Sequence, residues 1–367
     1  MTKKSNFTAG IFFLLLFISI IGGGVILKLT AAVCIPVVVA VLLSFVFLPL
    51  VKRLNEKPFR LPWGWAIFLV FVLFIALFIV VGNIIAASFS KIIDALPRYE
   101  ERFMTIFQKI ALEFNLPFDE NISFIQNLWN NISNETLSKY AFGIGGTIYD
   151  FARNFLLVML FAAFLLAEMH LTQDKITYAF DGKNRSRTKR ILANIGSEVS
   201  HYISIKFVIS LATGILLTLG LLAMHLDFAL FWGFIAFIMN FIPTFGSIIS
   251  VLITTLFALL QFYPSPAPIL GIALYSTAVN FVLGNIVEPR IEGENLGVSP
   301  FIILVSLSLW GWMWGFLGMV IAVPIMVIIK IICENFSFLH PVAIFLGNRP
   351  QDTQKEFSKD DEGDIHA

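Results

Sequence analysis

The chain has 367 residues, 58% of them hydrophobic and only 13% charged, with a mean hydropathy of +0.86. That balance excludes an ordinary soluble domain, and a net charge of +1 gives no basis for a nucleic-acid partner. The two cysteines, Cys34 and Cys333, sit in separate apolar runs and read as small packing residues rather than a disulfide or metal site.

Apolar runs near 20 residues predict helices that cross a bilayer, because such a helix matches the hydrocarbon core and pairs its own backbone. Lys3 and Lys4 precede the run Ile11–Ile21, which resembles a signal peptide. Gly22–Gly24 leads at once into another apolar run, so an uncleaved first span is expected. Span 1 covers about Ala9–Leu29 and span 2 about Ala31–Val51, with a tight turn at Lys28–Thr30. Basic residues before this pair and after it (Lys52, Arg53, Lys57, Arg60) place both of its ends in the cytoplasm.

Span 3, about Trp63–Ser88, runs outward. Residues 89–145 read as a small extracytoplasmic helical cap. One apolar stripe comprises Ile92, Leu96, Tyr99, Phe103, Phe107 and Ile110; a second comprises Ile122, Ile125, Trp129 and Ile132. Asn121–Ser123 fits a glycosylation acceptor, a reading given little weight. Span 4, about Gly146–Met169, returns inward to a basic cytoplasmic loop, "DGKNRSRTKR", Asp181–Arg190. Solvation of that loop is the plain reading, and anionic headgroups are a possible partner. Span 5 covers about Ile203–Met224 and span 7 about Pro268–Val287. The tail beyond Glu334 is polar and, from Asp352, acidic; it is expected to be cytoplasmic and disordered.

Two apolar stretches are interrupted. Ala229–Phe262 is broken by "NFIPTFGS" (Asn240–Ser247), and Phe301–Cys333 by "WGWMWGFLG" (Trp310–Gly318). Each is too long for one crossing and too short for two with a loop. A re-entrant helical hairpin fits, with Pro243 removing a donor and Gly246, Gly311 and Gly315 permitting turns. The fold class expected is all-α and polytopic, with about six spans and two re-entrant hairpins in an inverted repeat; about eight full spans is the alternative. The organisation expected is a scaffold at 1–88, the cap at 89–145, span 4 with the basic loop at 146–202, a transport unit at 203–334 and the tail at 335–367.

Between span 7 and the second hairpin lies "EPRIEGENLGVSP", Glu288–Pro300. Glu288 and Arg290 can pair, Pro289 ends a helix, Gly293 and Gly297 let the backbone turn, and Pro300 begins the next helix. A structured loop and a cytoplasmic gate are both open readings.

The segments "NFIPTFGSIIS" and "NIVEPRIEGENLGVSPFIILVSLSLWGWMWGFLGMVIAVPI" resemble the autoinducer-2 exporter family, the PerM-type permeases of bacteria. The resemblance implies a multi-pass inner-membrane transporter with cytoplasmic termini, working as a homo-oligomer. It implies export of a small signalling molecule for some members and cation–proton antiport for others. Its signatures fall here on Pro243, Gly246, Glu288, Pro289, Leu296, Gly297 and Pro300.

Candidate substrate or ion contacts are Asn240, Thr244, Ser247, Asn280 and Asn285, polar groups in apolar surroundings that also suit plain interhelical hydrogen bonds. Glu288 is the best-placed acid for proton coupling. Glu168 reads as interfacial, His201 and Lys206 as an interfacial pair reaching for the headgroups, with a proton-linked His201 as the alternative, and the three tryptophans at 310, 312 and 314 as interface anchors, with stacking on a sugar-like ring as the alternative. No phosphate loop, zinc-protease motif or nucleophile elbow occurs in the sequence. A secondary transporter of a small polar solute is the expectation, with no cofactor and with the two hairpin tips enclosing the solute. The rivals are a Na⁺(K⁺)/H⁺ antiporter and a non-transporting membrane scaffold.

Overall fold

The computed structural model describes residues 21–113, 152–169, 182–292, 297–336 and 338–347, with isolated positions at 14, 15, 18, 19, 175, 178 and 179. Asn121, the second stripe of the cap, Gly293, Leu296 and the acidic tail lie outside the described residues. Every element among the described residues is helical apart from one isolated bridge, Val298 to Gly347. Among the described residues seven helices are long and apolar enough to cross a membrane, so the chain is an all-α polytopic membrane protein. Large apolar side chains stay exposed along them, as at Leu274, Phe301 and Trp65. In a bilayer this needs no cover, because lipid tails are as apolar as the side chains.

The elements in order are α1 (Ala31–Asn55), α2 (Trp63–Glu113), α3 (Ala152–Met169), α4 (Gly182–Ala223), α5 (Ala229–Met239), α6 (Phe245–Phe262), α7 (Pro266–Phe281), a π turn (Val282–Val287), α8 (Glu288–Glu292), α9 (Pro300–Asn335) and α10 (His340–Leu346). The break between residues 21–29 and α1 is the single residue Thr30, whose hydroxyl donates back to the Ile26 carbonyl at 2.7 Å. Two helices outrun expectation. Span 3 does not stop at Ser88 but continues as α2 to Glu113. The basic stretch Asp181–Arg190 is not a loop from Gly182 onward; it is the first turns of α4. Lys and Arg are good helix formers, and no proline interrupts the segment.

The chain divides into two compact units. The first holds Met1–Ile67, Phe155–Ile203 and Asn295–Ala367. Its core joins Leu42 and Val199 to Met313, Trp314 and Ile321, and Tyr202 to Val298, Val323, Val327 and Ile331. Two of its polar side chains reach carbonyls on other helices: Ser200 donates to Phe45 at 2.9 Å, and the Trp63 indole donates to Leu166 at 3.0 Å.

The second unit holds Phe68–Asn154 and Ser204–Glu294. One cluster packs Leu221, Leu226, Ala229, Ala258 and Ile272; another packs Ile205, Ile209 and Leu283. Small buried residues recur every fourth position on α6 (Gly246, Ser250, Thr254, Ala258), and α7, which packs on α6, buries Ile272, Ser276 and Asn280. Small residues at this spacing let helix backbones approach closely in lipid.

Candidate functional site

In the second unit, α5 and α6 form the first hairpin, turning at Asn240–Thr244. Pro243 supplies no donor, and the Phe245 N–H donates to the Pro243 carbonyl at 2.7 Å across Thr244, which has φ 64° and ψ −56°. This is a γ-turn of the rare positive-φ form. The expected turning residue was Gly246, yet the left-handed backbone falls on Thr244. Gly246 serves another need. A Cβ there would lie 1.7 Å from the Met239 carbonyl oxygen, so only glycine lets the arms close. Asn240, 4% exposed, donates to the Ser210 hydroxyl at 3.1 Å and ties the tip to α4. The Phe207 and Phe237 rings meet edge-on at 5.9 Å along the same contact. Pro243 and Ser247 are half-buried and Thr244 is exposed.

The same face of α4 carries Lys206 one turn before Ser210. It was expected at the interface but is buried, its side chain 5% exposed, and its Nζ lies 2.5 Å from Glu288 Oε1. The Glu288 side chain is 14% exposed. The partner of Glu288 is therefore Lys206 and not Arg290, which is exposed. The reason lies in the backbone. Pro289 does not end the helix: the chain widens into the π turn Val282–Val287, the Glu288 N–H returns to Leu283, and α8 runs on to Glu292. A wider turn relieves the clash of a proline ring with the carbonyl four residues back. Residues two apart on a continuing helix do not face each other, so Arg290 points away from Glu288.

Asn280 is buried and donates to the Ser276 carbonyl at 2.9 Å. Its side-chain oxygen and the hydroxyls of Ser276 and Ser250 are buried without a hydrogen-bond partner among the described residues. Asn285, on the π turn, is exposed.

In the first unit, α9 folds on itself as the second hairpin. Gly315 has φ 64° and ψ −143°, outside helical space, so the break falls on one of the two glycines expected to turn. Gly311 stays helical beside Met319. Gly318, which the sequence did not single out, is the closest approach: a Cβ there would lie 1.9 Å from the Trp310 carbonyl oxygen. Across the arms the Ser306 hydroxyl donates to Ala322 at 3.2 Å. The tip is pinned by Trp314, whose indole donates to Leu27 at 3.1 Å, while the Lys28 ammonium sits 3.5 Å over the exposed Trp312 ring. Before α9, Gly297 has φ 63°, and the Ser299 N–H donates to Leu346 at 2.8 Å. Pro300 opens α9 as the sequence suggests.

Beyond the apolar part of α2, Arg98 pairs with Asp227, and the Tyr99 hydroxyl donates to the same carboxylate at 2.5 Å. The Asp227 N–H donates to Gln261, which donates to the His225 carbonyl, each at 2.8 Å. Tyr99 also lies 5.0 Å from the Phe257 ring. Burial, with the hydrogen bond and charge of Asp227 adding to it, pushes the Tyr99 phenol up to about 12. An open cavity of about 530 Å³ borders this network, lined by Lys91, Asp94, Arg98, Asp227 and Phe228.

A polytopic helical protein with two glycine-closed hairpins and a sunken ion pair has the build of a membrane transporter. The family model for AI-2E family transporters matches residues 10–338. The chain belongs to that family, and a role in membrane transport follows. It is 30% identical over 324 residues to a protein of Borreliella burgdorferi named "Putative transport protein", covering 87% of this chain and 86% of that one. Against YhhT of Escherichia coli K12, which carries the same description, identity is 30% over 322 residues, with 88% and 90% covered. Against the AI-2 transport protein TqsA of Escherichia coli K12 it is 25% over 340 residues, with 88% and 91% covered.

Proposed function

We propose that the chain is a secondary transporter that exports a small polar solute, a signal of the autoinducer-2 type, across a bacterial inner membrane. Its termini are cytoplasmic and it works as a homo-oligomer. The observation that carries the reading is the Lys206–Glu288 pair, two opposite charges sunk between helices of a transporter-family chain. A buried ion pair adds little net stability, and its better-attested use is as a register or switch device. Intramembrane charges of this kind mark solute and ion paths. The name of TqsA supports the solute class.

The tip of the first hairpin is the proposed solute contact, through Asn240, Pro243, Thr244, Gly246 and Ser247, with Asn280 and Asn285 on the following helix. The 11 residues of α5 reach only about 16 Å at 1.5 Å each, roughly half of a 30 Å core, which supports a re-entrant tip. Gly311 and Gly315 serve the second hairpin in the same way. Glu288 is the gate, with Lys206 as its latch and Pro289, Arg290, Gly293, Leu296, Gly297 and Pro300 shaping the segment that moves. Purified protein in liposomes should move a furanone-type signal, and Lys206→Met should abolish that movement. Failure to move the signal, Na⁺, K⁺ or H⁺ under any gradient sinks the reading.

A second reading, cation–proton antiport, is favoured by the single carboxylate of Glu288 in that pair. Glu288→Gln that left pH-dependent cation flux intact would remove it.

A further inference from the structure

Within the first unit, a cationic patch and an apolar patch meet where α4 begins. Arg185, Arg187 and Arg190 are exposed on the first turns of α4, and Lys189 is half-buried. The Arg187 guanidinium lies 5.4 Å over the ring of Phe336. Phe336 directly follows the last residue of α9, so both patches sit where an apolar helix begins or ends. From there Phe338, Val342 and Phe345 recur at three- and four-residue spacing. They are 79%, 45% and 82% exposed, while Ala343 on the other side of α10 is buried. The nearby acid Glu334 is engaged by Lys330 at 3.0 Å.

We propose that this patch is a binding site for anionic phospholipid. The phosphodiester is held by Arg185 and Arg187, and Phe338, Val342 and Phe345 lie in the glycerol and upper acyl layer. Phenylalanine and other apolar side chains on an interfacial helix bury to that depth, and arginines there hydrogen-bond phosphate in a fork. The cationic charge selects an anionic headgroup over a zwitterionic one.

The site reaches further than its own residues. The end of α10 is bonded to the entry of the second hairpin, through Ser299 N–H to Leu346 at 2.8 Å and the Val298–Gly347 bridge. Lipid that holds α10 at the surface therefore braces the start of α9, independently of what the chain transports.

The test uses the full chain in detergent, titrated with phosphatidylglycerol or phosphatidylcholine and followed by native mass spectrometry. Wild type should bind phosphatidylglycerol preferentially. At about fivefold per basic residue, R185Q/R187Q should cut that preference roughly twenty- to thirtyfold. F338S/F345S should weaken binding of both lipids. All four positions are exposed, and unchanged melting of the variants confirms that they fold. Phosphatidylglycerol should also slow hydrogen exchange at the Ser299 amide, and inorganic phosphate should not. An unchanged preference in R185Q/R187Q overturns the proposal, as does equal binding of the two lipids by wild type. A preference that emerges only after removal of residues 352–367 assigns the patch to the acidic tail and overturns it as well. Unaltered exchange at Ser299 removes the brace.

Discussion

Lys206 Nζ lies 2.5 Å from Glu288 Oε1, joining two helices whose residues are 82 positions apart. Deleting one charge strands the other in an apolar setting at a cost of about 3–5 kcal/mol, whereas replacing both by apolar groups of similar size is near neutral. Lys206→Met and Glu288→Leu should each lower the melting temperature in detergent. The double variant should recover it while transport in liposomes stays lost. A double variant that still transports would reduce the pair to packing.

The positive φ of Thr244 strains the tip by about 1–3 kcal/mol. Thr244→Gly should remove most of that strain and raise thermal stability. If the tip must move during transport, the relaxed variant should turn over at a different rate from wild type, measured as initial flux.

Close backbone contact makes two glycines intolerant. Gly246→Ala and Gly318→Ala each drive a methyl group into a carbonyl on the opposite arm, at 1.7 and 1.9 Å before relaxation. Overpacking of this kind typically costs about 1–3 kcal/mol or more. Gly271→Ala meets nothing within 4 Å and should gain about 0.5–1 kcal/mol from helix propensity. Melting of the three variants side by side checks the contrast.

The Tyr99 phenol titrates at about 12 in the folded protein against a usual 10. The folded state therefore holds this proton more tightly than the unfolded one. Stability from this site is intact below pH 10, and falls as pH rises from 10 towards 12. Tyr99→Phe should remove that component of the alkaline loss, seen as a flatter melting profile above pH 10 and one fewer late-titrating phenol by tyrosinate absorbance.

The helices were legible because apolar runs of membrane length have few other outcomes. The break of the first hairpin was legible too, since Asn240 and Pro243 interrupt an otherwise unbroken apolar stretch. The partner of Glu288 was not. Arg290 is near in sequence, but two residues along a helix point to different sides, and only the π turn keeps the chain helical through Pro289. Lys206, at the edge of an apolar run, had the pattern of a residue reaching for headgroups, and its burial depends on α7 and α8 arriving beside it. The role of Gly318 was hidden for the same reason, because its constraint is the carbonyl of Trp310 on the other arm. The motif Gly297–Pro300 looked like a turn, and its bond to Leu346 needed the fold of the segment beyond α9.

The six-residue wide turn at Val282–Val287 takes up a residue with little change of phase. An α-helix advances direction by roughly 100° per residue and a wider turn by less, so these six residues sweep nearly the angle that five would sweep in an α-helix. Losing one residue from that turn would leave the carboxylate aimed close to its lysine and restore an ordinary α-helix, in which the ring of Pro289 meets the carbonyl four residues back: the lesion would be steric and local.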